Sequence, residues 1–565
     1  MESRGSAESS ICESSSTDVA PLEPHGVPLH VCLRGFGRHF TSSSATVDAS
    51  TTAQVRPVSS YDHFISHDWG TPRWMKVLSL MIVFNAPAAF WTTLLVSIIL
   101  GMLQAFGILP EGMWVAIIPH LSFLLLLCFW QRVRALLLGP KNVFLDILCI
   151  PQYDDKLKAR GIMGLGNNLE CSQELTVLWS PRYFTRLWCT YEIAMFLRRP
   201  ERLQKIQLVP VTMPVILCLF SAAWLFVRLQ LTVVESVTID WDVTGLRLLV
   251  RIGLMLLSVP VIFVLKSYLG MGLVQDLEEL PKQLQEFSIA DSQCSCCFFE
   301  HRHPQTGKRI MCDREVVYQA VNDSFDDQEV RRTYSHEFSR TTSGLDIFDG
   351  AVRGQLSDKI SEQRLSSSLI PLDLFIYMVW AWDIPWLAPR LHLISQVGNL
   401  GRHPEYEHYD DLLRVLYALA DMIDWAKGLP SILVLLFVSM RLWKLMSRWK
   451  CCPRIVRALA SVPMVILSTL PVFLIISLAL DLTEDDWNPL NTLPFIFFLL
   501  LVICLLKPPK AKLLSFVWSA VPGRGPSAKP SASETRSWKE KPDQSTEELS
   551  STSQDDNFDG KFVPV

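Results

Sequence analysis

The sequence predicts an α-helical transmembrane protein of about eight spans that carries a cytosolic parallel α/β domain. Three observations support this fold class: few charged residues, several long apolar runs, and short apolar segments that alternate with amphipathic ones. Of the 565 residues, 49% are hydrophobic and only 19% are charged, whereas soluble domains average about 25% charged residues. The chain therefore has too few polar side chains to be soluble throughout.

The charge balance argues against a protein that binds nucleic acid. The chain has 52 Lys and Arg against 56 Asp and Glu, which gives a net charge of −4. A surface that binds nucleic acid needs a local excess of Lys and Arg to neutralise phosphates. We therefore expect the lipid bilayer, and no nucleic acid, among the partners.

Apolar runs long enough to cross a bilayer occur in both halves of the chain. A helix of about 20 apolar residues spans the hydrocarbon core. Some runs carry no Lys, Arg, Asp or Glu. Others contain basic residues, whose long side chains can reach the headgroups from near a helix end, namely Arg251, Lys266, Arg441 and Lys444. The predicted spans lie within the runs 77–110, 112–130, 206–227, 248–273, 369–391, 429–446, 458–480 and 487–506. A span at 369–391 is needed because residues 274–368 are predicted to be cytosolic, whereas the span at 429–446 must begin on the outer side. This segment contains Asp373 and Asp383.

The basic residues of the short loops predict the orientation of these spans. Residues 441–457 are rich in Lys and Arg, whereas residues 481–488 are acidic. Basic loops stay on the cytosolic side of a membrane. We therefore expect an integral, multi-pass membrane protein with both termini in the cytosol.

Composition also divides the chain into domains. The ends are rich in Ser, Pro and charged residues, which is typical of disordered tails. Two membrane hairpins interrupt the α/β domain, and residues 274–325 are a candidate for its last part. The predicted regions are tails 1–56 and 521–565, α/β segments 57–76 and 141–212, hairpins 77–130 and 213–273, a polar helical region 326–368, a weak span 369–391, an amphipathic region 392–428, and three spans in 429–507.

The α/β segments alternate apolar strands with helices. Strands are predicted at 61–69, 141–150, 174–179 and 205–211, and an amphipathic helix at 186–197. A further strand is predicted at Phe287–Cys294. Nearly continuous apolar runs bounded by Pro and polar loops indicate parallel strands that are buried on both faces. Ligands of such sheets bind at the carboxyl ends of the strands.

The motifs at these strand ends resemble those of the Toll/interleukin-receptor-type (TIR) domain. They are Phe64-Ile65-Ser66-His67, the run Leu145–Gln152, and Arg186-Leu187-Trp188-Cys189-x-x-Glu192. They are also similar to a TIR-like group of multi-pass protist membrane proteins. The resemblance implies a flavodoxin-like sheet, here split by the two membrane hairpins, and a role in signalling.

The resemblance implies two alternative activities. Some TIR domains cleave NAD⁺ at the nicotinamide–ribose bond with the motif's glutamate, which is Glu192 in this chain. A carboxylate can stabilise the oxocarbenium-like ribose that forms as nicotinamide leaves. The implied substrate-binding residues are Phe64, Ser66, His67, Trp69 and Trp188. Other TIR domains are scaffolds that self-associate, which implies a homo-oligomer formed through the loop Pro151, Gln152, Tyr153 and Asp154.

Two further interpretations compete with both activities. Trp188 and Glu192 are also compatible with a structural role, as a core residue and a solvated or capping carboxylate. A transporter or channel remains a third class because ionisable residues lie inside predicted spans. No filter-like motif or internal repeat supports that class.

Cysteine-rich segments supply the remaining candidate sites. Cys and His are zinc ligands, and one segment contains six of them: Cys294, Cys296, Cys297, His301, His303 and Cys312. The alternative there is a Cys-rich strand end followed by a turn that joins two elements. Cys451 and Cys452 lie in a basic segment beside a predicted span, where the alternatives are S-palmitoylation and two ordinary reduced thiols.

Overall fold

A six-stranded mixed sheet lies at the centre of the α/β part, and most of the remaining described chain is helical. The structure is a computed structural model. It describes residues 24–40, 55–110, 112, 114–150, 155–237, 244–302, 307, 309, 311–334, 342–366, 370–395, 422, 425, 426, 428–449 and 451–464.

The sheet contains four parallel strands and two short antiparallel ones. Its strands are β1 (His25–Pro28), β2 (Arg56–Pro57), β3 (Tyr61–His67), β4 (Asn142–Phe144), β5 (Ser172–Trp179) and β6 (Ile206–Pro210). Their order is β2-β1-β4-β3-β5-β6. Strands β4, β3, β5 and β6 run parallel, whereas β1 is antiparallel to both β2 and β4. The central β3 and β5 are buried along most of their length, as expected from their apolar sequences.

Helices of very different lengths surround the sheet. In chain order they are α1 (Leu29–Cys32), α2 (Arg73–Ala105), α3 (Trp114–Leu137), α4 (Asp146–Cys149), α5 (Asp155–Met163), α6 (Leu165–Glu170), α7 (Leu187–Leu197), α8 (Met213–Val237), α9 (Thr244–Gln285), α10 (Ser295–Phe298), α11 (Asp313–Asp326), α12 (Gln328–Tyr334), α13 (Gly344–Ala351), α14 (Ser357–Ser366), α15 (Leu372–Val379), α16 (Leu387–Ser395) and α17 (Gly428–Ser447). Another helical stretch covers residues 454–464.

Within the described residues, three helices are long and apolar enough to cross a membrane, namely α2, α3 and α17. Helices α2 and α3 pack against each other and connect two neighbouring parallel strands, β3 and β4. Only 33% of the apolar window of α2 and 28% of that of α3 are buried, against 61% for α17. The α2–α3 pair therefore presents a broad apolar surface that the described residues leave uncovered.

The predicted span at 369–391 is wrong as a continuous helix. Helix α15 ends at Val379, and two short 3₁₀ turns, Trp380–Trp382 and Ile384–Trp386, separate it from α16. Pro385 has no N–H to donate to a helical hydrogen bond, which favours this break. The segment packs among the other helices instead, with Ala381 and Ile384 fully buried.

The predicted tail 1–56 is wrong for residues 24–40 and for Arg56, which belongs to β2. Val27, Leu29 and Cys32 are at most 1% exposed. They pack in the hydrophobic core beside β4, and this burial stabilises a segment whose surrounding composition is typical of disorder.

The predicted second strand is also shorter than expected. Strand β4 ends at Phe144, and the rest of the apolar run forms α4. The Asp146 carboxylate accepts a hydrogen bond from the Ile147 backbone N–H at 2.7 Å. This local bond competes with strand pairing and turns the chain into a helix.

The described part of residues 274–325 packs on the α/β part without adding a strand to its sheet. The predicted strand Phe287–Cys294 contains a 3₁₀ turn at Ile289–Asp291, and Gln293 makes an isolated bridge to Arg186. Helix α11 packs on α7. Residues 274–285 are the last part of α9, which also includes the predicted span at 248–273.

Several predictions fall on parts of the chain that lie outside the described residues. These are the tail 521–565, the span 487–506, most of the span 458–480 and nearly all of 392–428. The predicted polar region 326–368 contains α12, α13 and α14.

The close approach of α9 to α17 gives a testable contrast between two glycines of one helix. A Cβ added at Gly270 would overlap the buried Trp443 ring, whereas one at Gly253 meets no described atom within 4 Å. We expect Gly270→Ala to lower the free energy of unfolding by about 1–3 kcal/mol because the ring must shift. Gly253→Ala is the matched control and should be neutral or slightly stabilising. Denaturant unfolding in detergent measures both, and equal effects would contradict the close packing.

Candidate functional site

Polar side chains collect where parallel strands β3, β4 and β5 end. Ser66 lies near the end of β3, Asp68 follows that strand, Asp146 follows β4, and Ser180 follows β5. Parallel strands place their carboxyl ends at the same edge of a sheet. Of these four residues the sequence predicts only Ser66 as a site residue, and helix α7 adds Glu192 to the group.

Glu192 is held inside the protein. Glu192 is only 7% exposed, and Ser66 is fully buried. The Ser66 hydroxyl donates a hydrogen bond to Glu192 Oε2. The Ser66 hydroxyl also hydrogen-bonds the hydroxyl of the fully buried Tyr183. Loss of hydration raises the pKa of Glu192 to about 8, the hydrogen bond from Ser66 opposes this shift, and the negative charge of Asp146 adds to it. At neutral pH the neutral acid is therefore the main form of Glu192.

Asp68 ties the end of β3 to the segment after β5. It is 2% exposed, and its carboxylate lies 3.0 Å from Arg182 Nη2 and 3.8 Å from Arg186 Nε. The Ser180 hydroxyl and the Gly70 N–H donate to the same carboxylate at 3.3 Å and 3.1 Å. A buried carboxylate with this many partners is a structural anchor for the loop.

Asp146 and Trp69 form the polar contact at the end of β4. The Trp69 indole N–H donates to Asp146 Oδ2 at 2.9 Å. Burial raises the pKa of Asp146, while the Ile147 N–H, the Trp69 indole and the charge of Lys76 lower it in part. Lys76 belongs to α2 and is 0% exposed, and its ammonium donates to the Trp69 carbonyl at 3.4 Å. Sequence patterns do not reveal Lys76 because it lies in the first turn of an apolar helix.

The proposed substrate-binding residues do not line one surface. Phe64 is 0% exposed and stacks on Phe144 with ring centroids 4.7 Å apart, so it is a core residue and its side chain offers no surface to a ligand. His67 is 7% exposed, and its ring stacks on Trp69 at 6.2 Å. Burial lowers the pKa of His67, which keeps the imidazole neutral. Phe64 is therefore excluded as a base-binding residue, whereas Trp69 remains partly exposed.

Trp188 and Glu192 contact different parts of the protein, although they are four residues apart on α7. The Trp188 indole N–H donates to Asp313 of α11 at 3.4 Å, and its ring packs on Tyr191 at 5.7 Å. Glu192 instead contacts the sheet through Ser66. A separation of four residues along one helix therefore does not bring the Trp188 and Glu192 side chains into a common site.

Two other predicted sites have different outcomes. The proposed self-association loop, Pro151, Gln152, Tyr153 and Asp154, lies outside the described residues. Cys451 and Cys452 are both exposed and follow the end of α17, with their sulfurs 3.7 Å apart. Exposure beside an apolar helix is compatible with the predicted lipidation.

The predicted Cys/His segment folds into a cluster. Ligand atoms of Cys296, Cys297, His301 and Cys312 all lie within 4.8 Å of one another. Cys294 lies beside this group, with its sulfur 3.0 Å from that of Cys296. His303 is outside the described residues. Spacing in the sequence found the members of this cluster but not which of them meet.

Asp383 and Lys266, two ionisable residues within predicted spans, are buried among other side chains of the protein. The Asp383 carboxylate accepts from the Trp224 indole N–H at 2.7 Å and lies 3.0 Å from Arg228 Nε. Lys266 is fully buried, with its ammonium 3.7 Å from the Phe263 ring centroid. The expectation that Lys266 reaches the headgroups is therefore wrong, because the neighbouring helices enclose it.

Comparison with known proteins gives no relative for this fold or site. The chain matches no protein-family model, no curated protein and no solved structure. The resemblance to TIR domains therefore rests on the sequence motifs quoted above.

Proposed function

We propose that this chain is a multi-pass membrane protein that displays a cytosolic TIR-like domain and signals by self-association rather than by cleaving NAD⁺. The observation that carries the membrane part of the proposal is the α2–α3 pair, which connects two neighbouring strands of the sheet and has apolar side chains that the described residues leave uncovered. Trp91 and Leu95 of α2 are each 57% exposed, and so is Leu125 of α3. Lipid is the solvent that suits such a surface.

The order of the parallel strands supports the TIR-like part of the proposal. In chain order the parallel strands are β3, β4, β5 and β6, and their spatial order is second, first, third, fourth. This is the beginning of the flavodoxin-like order 2-1-3-4-5. Further spans beyond α2, α3 and α17 are proposed from the lengths of the other apolar runs, and the cytosolic side is proposed for the loops rich in Lys and Arg from their charge.

The burial of Glu192 favours the scaffold over the enzyme. A carboxylate that stabilises an oxocarbenium-like ribose must be ionised and must reach the substrate. Glu192 is 7% exposed, its pKa is raised to about 8, and it is hydrogen-bonded to Ser66. Catalysis by Glu192 would require this hydrogen bond to break and the carboxylate to become accessible to the substrate.

The test uses full-length protein in nanodiscs, with resistance to alkaline carbonate extraction as the check of membrane integration. We expect neither the wild type nor Glu192→Gln to release nicotinamide from NAD⁺. Release by the wild type and not by the variant would overturn the proposal in favour of an enzyme. Equal release by both would identify a contaminant or another site.

Self-association is measured in the same membranes. Energy transfer between donor-labelled and acceptor-labelled chains in liposomes should report oligomers of the wild type. Tyr153→Ala in the predicted loop should lower the energy transfer. Lys282→Ala is the control because it changes an exposed residue of α9, and it should leave the energy transfer unchanged. Equal energy transfer in both variants would exclude the loop, and its absence in the wild type would exclude the scaffold.

A further inference from the structure

The segment between α10 and α11 brings three thiols and an imidazole together. Cys296 and Cys297 lie on α10, His301 follows it, and Cys312 precedes α11. Their ligand atoms lie within 4.8 Å of one another. Three sulfurs and one nitrogen are a common ligand set of structural zinc sites.

The distances between the sulfurs fit one tetrahedral ion. Zn–S bonds of about 2.3 Å at tetrahedral angles separate two sulfurs by about 3.8 Å. The sulfurs of Cys297 and Cys312 are 3.7 Å apart, and those of Cys296 and Cys297 are 4.0 Å apart. A disulfide would need about 2.05 Å, so these distances suit a shared ion rather than a covalent bond. The separation of 3.0 Å between Cys294 and Cys296 is too short for both to bind one ion in this way.

The backbone bends to bring His301 back to the thiols. Glu300 and His301 have φ values of +52° and +56°, in the left-handed region that few side chains adopt. This turn lets the His301 N–H donate to the Cys296 carbonyl at 2.8 Å. The His301 Nε2 atom is buried, and no described residue hydrogen-bonds it. A buried nitrogen without a partner is costly, and a metal ion would satisfy it.

A backbone hydrogen bond to the sulfur of Cys296 also favours metal binding, and it comes from a residue outside the four ligands. The Asp313 N–H donates to Cys296 Sγ at 3.2 Å. Donors of this kind stabilise the thiolate form that binds zinc. Asp313 also accepts from the Trp188 indole through its carboxylate, so the cluster connects directly to α7.

We propose that Cys296, Cys297, His301 and Cys312 bind one structural Zn²⁺, which joins α10 to the start of α11, the helix that packs on α7. The donor set, the spacing of the sulfurs and the unpartnered imidazole nitrogen together identify the ion class. With four protein ligands the site is closed to substrate, so its role is to hold the fold. Cys294 lies outside the ligand set as a neighbouring thiol.

The experiment measures metal in full-length protein purified in detergent without added metal or chelator. We expect about one zinc per chain by mass spectrometry of the elements. Cys297→Ser and Cys312→Ser should lose most of it. The exposed adjacent pair Cys451 and Cys452 provides the matched control, because Cys451→Ser changes a vicinal thiol of similar chemistry and should keep the zinc. Cys294→Ser should keep it as well.

A second measurement covers the case in which a variant fails to fold. Wild-type protein is stripped with a chelator and then titrated with Co²⁺, and tetrahedral thiolate coordination should give intense visible absorption that Zn²⁺ abolishes. Folded wild type that holds no zinc and gives no such spectrum with Co²⁺ would overturn the proposal. Equal zinc in Cys312→Ser and the wild type would also overturn it, and loss of zinc in Cys294→Ser would show that the ligand set is wrong.

Discussion

Glu192→Gln is expected to be more stable than the wild type at about pH 8 and to lose much of the pH dependence of unfolding. The native pKa of Glu192 is about 8, against an ordinary value of 4.5, because burial disfavours the charged carboxylate. Between these values the native state keeps the proton and the unfolded state releases it. The free energy of unfolding therefore falls as pH rises, by about 1.4 kcal/mol per pH unit.

The change in the free energy of unfolding accumulates between pH 4.5 and about pH 8, the pKa values of Glu192 in the unfolded and native states. The stabilisation is complete below about pH 4.5 and is lost as the pH rises through about 8, a change on the order of 4–5 kcal/mol. Glutamine does not titrate and can keep a hydrogen bond with Ser66. The difference between variant and wild type should therefore grow with pH.

Urea unfolding in detergent at several pH values measures this difference. Glu286→Gln is the control because Glu286 is exposed just after α9, and this variant should follow the wild-type curve. Parallel curves for Glu192→Gln and the wild type would mean that Glu192 is hydrated, and they would remove the argument against catalysis.

Asp383→Ala is expected to lower the free energy of unfolding by about 3–5 kcal/mol, because it leaves a partly buried arginine without its counter-ion. Asp383 is 1% exposed and lies 3.0 Å from Arg228 Nε. The Trp224 indole donates to its carboxylate at 2.7 Å, and the Trp425 indole donates to its backbone carbonyl at the same distance. Alanine would remove the acceptor for Trp224 together with the ion pair.

A double-mutant cycle separates the ion pair from the general effects of substitution. Arg228→Met combined with Asp383→Ala should cost less than the sum of the single changes, because no charge is then left unpaired. Asp373→Ala is the matched control: Asp373 is exposed on α15, and its replacement should change stability by no more than about 0.5 kcal/mol. Additive single effects would mean that the two charges do not interact.

The parts of the fold that follow from local pattern could be predicted. The apolar residues at β3, β5 and β6 identified these strands, and the central β3 and β5 are buried along most of their length, as is typical of parallel strands covered on both faces. Helices α2 and α3 were visible from run length alone. The short β1 was not, since its few residues pair with strands far along the chain and lie within a segment of tail-like composition.

The site was predicted less well because its properties depend on packing between distant segments. The motif placed Glu192 at the right strand ends, but its hydrogen bond to Ser66 and its raised pKa arise only when α7 lies against the sheet. Asp383 could be recognised as an unusual residue, whereas its partner Arg228 lies on another helix. The Cys/His segment was predictable in composition because its members are close in sequence.

The insertion of α2 and α3 between β3 and β4 has a consequence for how the protein is made. Adjacent strands of the sheet are separated along the chain by an apolar helical pair that leaves the ribosome before β4 does. In the membrane topology proposed above, the two strands can pair only after both helices have entered the bilayer and returned the chain to its starting side. Biosynthesis of the sheet thus waits for membrane insertion, and a chain with only one of these helices inserted would leave β3 with an open edge, which is a site for aggregation.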